Sequence, residues 1–148
     1  NNSNLDCSIW PMRITEQTRY ALRIIAVCAQ KYPERVKVGD LSKITGISPY
    51  NIFKLLKIVT RAGYLDSVRG PKGGIMMVQS PQSLTVGQVV RALEPRFQSC
   101  APADLMMAAA PPHQDDIAQK VNEAIGRGIN AFLAELDEIL VSKLASNS

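Results

Sequence analysis

Apolar residues recur at helical spacing along much of this chain. Ala21, Ile24, Ile25 and Cys28 sit at i, i+3, i+4 and i+7, which predicts one buried face of a helix from about Thr15 to Lys31. Thr15 suits its N-cap and Glu16 its first turn, and Pro33 stops it. Cys28 lies on the apolar face and reads as a small core residue. Val36–Val38 is short and β-branched. Asp40–Thr45 then makes about two helical turns, closed by Gly46. Ser48-Pro49 is an N-cap followed by the favoured first-turn proline, and it opens a helix predicted from Pro49 to Ala62. Ile52, Leu55, Leu56 and Val59 face inward there, while Asn51, Lys54, Lys57 and Arg61 fall largely on the other side. Two helices joined by a tight Gly turn, the second with a basic outer face, form a helix-turn-helix pattern.

Two strands are predicted next, Tyr64–Val68 and Ile75–Gln79, linked by the turn sequence Arg69-Gly-Pro-Lys-Gly-Gly74. A hairpin directly after a helix-turn-helix is a wing. Thr85–Leu93 is a further short helix with Val86, Val89, Val90 and Leu93 as its stripe, ended by Glu94-Pro95. Residues 95–113 are irregular and contain Cys100 and His113. From Gln114 to about Ala145 the pattern predicts one long helix, ~45 Å if continuous. Ile117, Val121, Ile125, Ile129, Phe132, Leu136, Ile139, Leu140 and Leu144 form its stripe, and Gly126 and Gly128 weaken it or allow close packing. So long a stripe after a small domain predicts a dimerisation helix, with Ile125, Ile129, Phe132, Leu136, Ile139 and Leu140 at the interface. The fold expected is mostly α with a small β wing. It divides into an arm or cloning remnant at 1–11, a winged helix-turn-helix domain at 12–96, a sensor-type loop at 97–113, and the dimerisation helix and tail at 114–148.

Charge sharpens this division. The 148 residues carry a formal net charge of +4. Residues 12–96 hold 14 Lys/Arg against 5 Asp/Glu, a net of +9, whereas residues 97–148 hold 3 against 7, a net of −4. A basic domain with an acidic last third points to nucleic acid at one end. No apolar run approaches the ~20 residues that span a bilayer, so no membrane partner is expected. The first eleven residues lack the basic start and apolar core of a secretory signal, and Met12 is a candidate natural start.

DNA binding needs side chains that reach base edges and phosphates from a helix lying in the major groove. Ser48, Tyr50, Asn51, Lys54 and Lys57 are the candidates. Asn pairs bidentately with adenine, and Lys donates to guanine or phosphate. On the wing, Arg69 and Lys72 stand beside Gly70 and Gly73 in a small basic loop suited to the backbone or a narrow minor groove. Arg13, Arg19 and Tyr20 add candidate phosphate contacts, which position a protein without reading sequence. A solvated helix face and an incidental hairpin charge are the competing readings of these residues.

Enzyme chemistry has little to stand on. P-loop, G-x-S-x-G and H-E-x-x-H motifs are absent. Gly70–Gly74 is followed by a strand rather than a helix N-terminus, so it is no phosphate cradle. Cys100 and His113 are of the types that serve as nucleophile and base, but with no identifiable orienting group they are not expected to be catalytic. Cys7, Cys28 and Cys100 are odd in number and widely spaced, which excludes a disulfide framework and makes a reducing cytoplasm the default. With one histidine and no C-x-x-C, a four-ligand zinc site within one chain is not expected.

Several stretches resemble one bacterial family. They are M-R-I-T-E-Q-T-R-Y-A-L-R (Met12–Arg23), G-I-S-P-Y-N-I-F-K-L-L (Gly46–Leu56), A-G-Y-L-D-S-V-R-G-P-K-G-G (Ala62–Gly74) and L-T-V-G-Q-V-V-R-A-L-E (Leu84–Glu94). Together they are similar to the winged-helix regulators of the family of IscR, NsrR, RirA and CymR, from about Met12 to Leu144. The resemblance implies homodimeric transcription factors, usually repressors, on palindromic double-stranded operators. It implies a recognition helix carrying Ser48, Tyr50, Asn51 and Lys54, a wing at Arg69–Gly74, and a long C-terminal helix crossing its partner.

The sensor departs from that pattern. Iron–sulfur members place three close cysteines in the loop before the long helix, and this chain has only Cys100 there. A cluster needs about four ligands, mostly thiolates. No resident cofactor is therefore expected. An iron–sulfur ligand, a thiol switch and an ordinary loop cysteine remain alternatives for Cys100, with His113 and the partner subunit as further ligand sources. The functional expectation is a cytoplasmic homodimeric repressor answering a redox, iron, nitric oxide or small-molecule signal. The alternative is a winged-helix protein-interaction module that does not bind DNA.

Overall fold

The computed structural model describes residues 14–94, 97 and 116–146; Arg13, Cys100 and His113 lie outside them. The elements run α1 (Glu16–Lys31), α2 (Val38–Thr45), α3 (Pro49–Arg61), β1 (Leu65–Val68), β2 (Gly74–Met77), α4 (Val86–Leu93), α5 (Asp116–Asp137) and α6 (Val141–Ala145). This is the mostly helical winged-helix architecture that the sequence predicts.

Packing centres on α1, which touches α2, α3, α4, α6 and β2. Thr15 caps it, its Oγ1 accepting from the Thr18 backbone N–H at 3.3 Å. Ala21, Ile24, Ile25 and Cys28 are buried as their spacing predicts. Each large apolar side chain taken out of water here contributes about 1.5–3 kcal/mol before entropy is counted. Cys28 is a core residue, and burial pushes its thiol up to about 12.

Val36–Val38 divides between two roles. Val36 pairs with Ile75 through reciprocal backbone hydrogen bonds of 2.8 Å, extending the two-stranded sheet, while Val38 opens α2. β1 and β2 pair antiparallel from Leu65↔Met77 to Val68↔Gly74. Their inward residues Leu65, Ile75 and Met77 join the core. α4 begins with a capping box between Thr85 and Gln88.

One fully buried carboxylate ties α4 to α1. Glu94 Oε1 accepts from the Thr15 backbone N–H at 2.7 Å and from Thr15 Oγ1 at 2.9 Å. Its Oε2 has no hydrogen-bond partner among the described residues. A negative group at a helix N-terminus is favourable, which helps to offset its burial.

The C-terminal region differs from the single ~45 Å helix expected. α5 stops at Asp137, and α6 starts at Val141. Between them, Val86 N–H donates to the Ile139 carbonyl and Val141 N–H to the Leu84 carbonyl, both at 2.8 Å. Thr85 and Leu140 bridge antiparallel. The Ile139 carbonyl and the Val141 N–H thus bond across to residues 84–86 instead of along a helix, with no Gly or Pro at 138–140 to announce the break. α6 then packs on α1, and Val141 is fully buried in the winged-helix core. α6 therefore packs as part of the winged-helix core.

The predicted interface stripe divides too. Ile129, Phe132, Leu136 and Ile139 pack with buried Leu133 against Val86 and Val90 of α4 in the same chain. Leu140 caps α6. Ile125 is exposed, as are Ile117 and Val121 at four-residue spacing before it.

Candidate nucleic-acid interface

The turn between α2 and α3 is fixed from beneath. Gly46 adopts a left-handed φ of 70°, and its N–H donates to the Ser42 carbonyl at 2.8 Å. Thr45 is buried, its hydroxyl donating to the Leu41 carbonyl at 2.6 Å and accepting from the Ile47 N–H at 3.2 Å. The Arg23 guanidinium donates to the Thr45 carbonyl. Ser48 caps α3, accepting from the Asn51 N–H at 3.3 Å.

With Ile52, Leu55, Leu56 and Val59 inward, α3 leaves Tyr50, Phe53, Lys54 and Lys57 exposed at i, i+3, i+4 and i+7. Asn51 is half-buried instead, in a shallow cleft between α1 and α3 that Glu16, Gln17, Tyr20, Lys54 and Leu55 also line. Tyr20 donates its hydroxyl to Glu16 at 2.6 Å, which raises the phenol's pKa and engages the group assigned to phosphate. Arg19 is exposed beside it.

The wing turn is held by its own backbone and by two basic side chains from outside it. Gly73 N–H donates to the Gly70 carbonyl at 3.0 Å. Gly70 has φ 103°, open to glycine and costly for other residues. Gly73 is buried, and a Cβ there would meet the Val68 carbonyl, so the turn needs glycine at this position. Lys37 Nζ donates to the carbonyls of Gly70 at 3.2 Å and Pro71 at 2.7 Å. Arg35 pairs with Asp66 at 2.7 Å and reaches the Gly74 carbonyl at 3.2 Å. Arg69 and Lys72 remain exposed at the tip.

Sequence reasoning missed Phe53, Lys37 and Arg35. Phe53 was within reach, because it lies one turn from Tyr50 on the Lys54–Lys57 face. Lys37 and Arg35 had no local signal, since their partners lie more than thirty residues away.

A recognition-type helix and a pinned basic wing on one small domain are the geometry of a DNA-binding regulator. The Rrf2 family model, described as an iron-dependent transcriptional regulator, matches residues 14–147. The chain belongs to the Rrf2 family. It is 30% identical over 135 residues to protein aau3 of Rhizobium meliloti (strain 1021), a match covering 90% of this chain and 84% of that protein. The Rrf2 fold is shared with CymR (YrzC), the global cysteine regulator of B. subtilis, at TM-score 0.69 and 20% identity, covering 93% of this chain and 98% of that one. IscR of T. potens gives TM-score 0.66 at 20% identity, over 89% of this chain and 85% of that one. As an Rrf2 member the chain is a DNA-binding transcriptional regulator, and no helix among its described residues is long and apolar enough to cross a membrane.

The iron in the family's description meets a poor donor set here. Among the described residues no three His, Cys, Asp or Glu side chains come together as a metal site. Cys28 is protonated and enclosed by the core, unfit as a thiolate ligand. Cys7, Cys100 and His113 are the only remaining thiols and imidazole in the sequence, short of the four ligands a cluster takes.

Proposed function

We propose that this Rrf2 protein is a homodimeric repressor of palindromic operators that works without a stable iron–sulfur cluster. The observation that carries it is the outer face of α3, with Tyr50, Phe53, Lys54 and Lys57 exposed together beside a wing bearing Arg69 and Lys72. The lysines and arginine supply a salt-dependent phosphate contribution, and the first turns of α3 supply base readout. The dimer is supported by Ile117, Val121 and Ile125, which leave an apolar stripe on the N-terminal half of α5. Signal reception falls to residues 97–113, with Cys100 and His113 as sensing groups and, as the chemistry, oxidation of the Cys100 thiol by hydrogen peroxide to a sulfenic acid with release of water.

Gel-shift titration on genomic operator fragments tests the DNA surface. Lys72→Ala weakens binding to all sequences and lowers the salt slope by about one. Asn51→Ala relaxes sequence preference. Unchanged affinity in both variants overturns the assigned surface. Anaerobic purification with an iron assay tests the sensor: a brown, iron-containing protein that turns colourless in Cys100→Ala refutes the cluster-free reading.

A further inference from the structure

Phe53 has no structural task among the described residues. The inward positions of α3 are filled by Ile52, Leu55, Leu56 and Val59, each at most 5% exposed, whereas Phe53 is 57% exposed and Tyr50 77%. A ring left in water on a folded helix forgoes the gain that burial gives such a side chain. Its neighbours on the same face are Lys54 and Lys57, both exposed. An aromatic pair set among lysines is a poor match for an apolar protein groove and a good one for a polyanion with an apolar spot inside it.

DNA offers one such spot. Thymine's 5-methyl is the only apolar group a base pair presents on the major-groove floor. In helix-turn-helix proteins the N-terminal part of the recognition helix approaches the base edges. Tyr50 and Phe53 fall in the first two turns of α3, spaced one turn apart, about 5 Å along the axis, which spans one to two base-pair steps. Asn51, the residue best suited to hydrogen-bonded readout, is half-buried at the cleft between α1 and α3, less exposed than either ring.

We propose that Phe53, with Tyr50, selects thymine in the operator half-site through apolar contact with its 5-methyl group. This rests on α3 being the recognition helix and names the base chemistry that it reads. Lys54 and Lys57 flank the contact and hold the phosphates on either side of the groove. The operator class implied is A·T-containing at the step beneath Phe53.

Uracil for thymine removes the methyl and keeps the base pair and its O4 acceptor. The full-length protein is titrated against its selected operator with each half-site thymine replaced in turn by uracil. At one or two positions the wild type loses about fourfold in affinity per methyl, the size expected for one methyl group taken out of water. Phe53→Ala loses about tenfold on thymine DNA and is indifferent to uracil at those positions. Phe53→Leu keeps part of the discrimination, and its melting temperature, like that of Phe53→Ala, stays near wild type because the position is exposed. A wild type that binds uracil operators as tightly as thymine operators at every position overturns the proposal. So does a Phe53→Ala variant that keeps the discrimination, or one whose sedimentation changes while its DNA affinity does not. Lys54→Ala and Lys57→Ala separate this failure from that of the helix assignment. If they weaken binding while uracil has no effect, only the thymine contact is wrong; if they too leave binding unchanged, α3 is not the recognition helix.

Discussion

Single residues in this protein carry two kinds of strict demand, space and solvation. Gly73 shows the first. A methyl group there meets the Val68 carbonyl, so Gly73→Ala forces the wing turn to open. The expected result is a destabilisation of about 1–3 kcal/mol by chemical denaturation, together with loss of wing-dependent DNA affinity. Gly87 is confined in the same way by the Asp137 side chain and backbone N, an approach that also lets Asp137 pair with Arg91. Cys28 shows the demand of solvation. Its folded thiol titrates near 12, so the native state holds a proton that the unfolded chain releases above about pH 8.5. Stability from this residue is complete below that value. It falls as pH rises, by up to about 1.4 kcal/mol per unit, until the folded thiol ionises. Urea melts at increasing pH show the decline in the wild type and a shallower one in Cys28→Ala. The same thiol stays unmodified by alkylating reagents until the protein unfolds.

Elements were legible where local signals sufficed. The starts of α1, α3 and α4 follow from Thr15, Ser48 and Thr85, each of which accepts a backbone N–H as a side-chain cap. Ser48→Ala is accordingly expected to cost about 1 kcal/mol by chemical denaturation and to loosen the first turn of α3. The wing was legible from its glycines, but not what pins it. Lys37 belongs by sequence to the approach to α2 and by contact to the wing tip. Lys37→Ala is expected to leave the melting temperature within about 2 °C, since exposed pairs contribute little, yet to weaken operator binding several-fold by freeing the tip. The readout that distinguishes it from a direct phosphate contact is amide exchange at Gly70–Gly73, which quickens in free protein before any DNA is present. The end of α5 was illegible, because the residues at 138–140 keep a helical pattern. Backbone pairing with residues 84–86 overrides it, and that pairing depends on partners some fifty residues earlier.

At the scale of the whole molecule the chain closes on itself. Val141 completes the core around α1, and residues 139–141 pair with 84–86, so the winged-helix domain needs the far end of the sequence. A fragment spanning 12–96 is expected to be poorly folded, and Val141→Ala in the full chain to cost about 2 kcal/mol by urea denaturation. The charge imbalance read from sequence takes physical form here. The basic portion holds α3 and the wing, while the acidic last third supplies α5, which lies on α4. α5 itself is gripped along only part of its length. Among the described residues, α5 packs on α4 from Ile129 onward, whereas Ile117, Val121 and Ile125 are exposed, and a Cβ at Gly126 or Gly128 would meet nothing within 4 Å beyond its own helix backbone and chain neighbours. The 13 residues from Asp116 to Gly128 are about 20 Å long, so in a dimer that covers Ile117, Val121 and Ile125 they act as a lever: a bend of about 5° at the glycines carries its tip by nearly 2 Å.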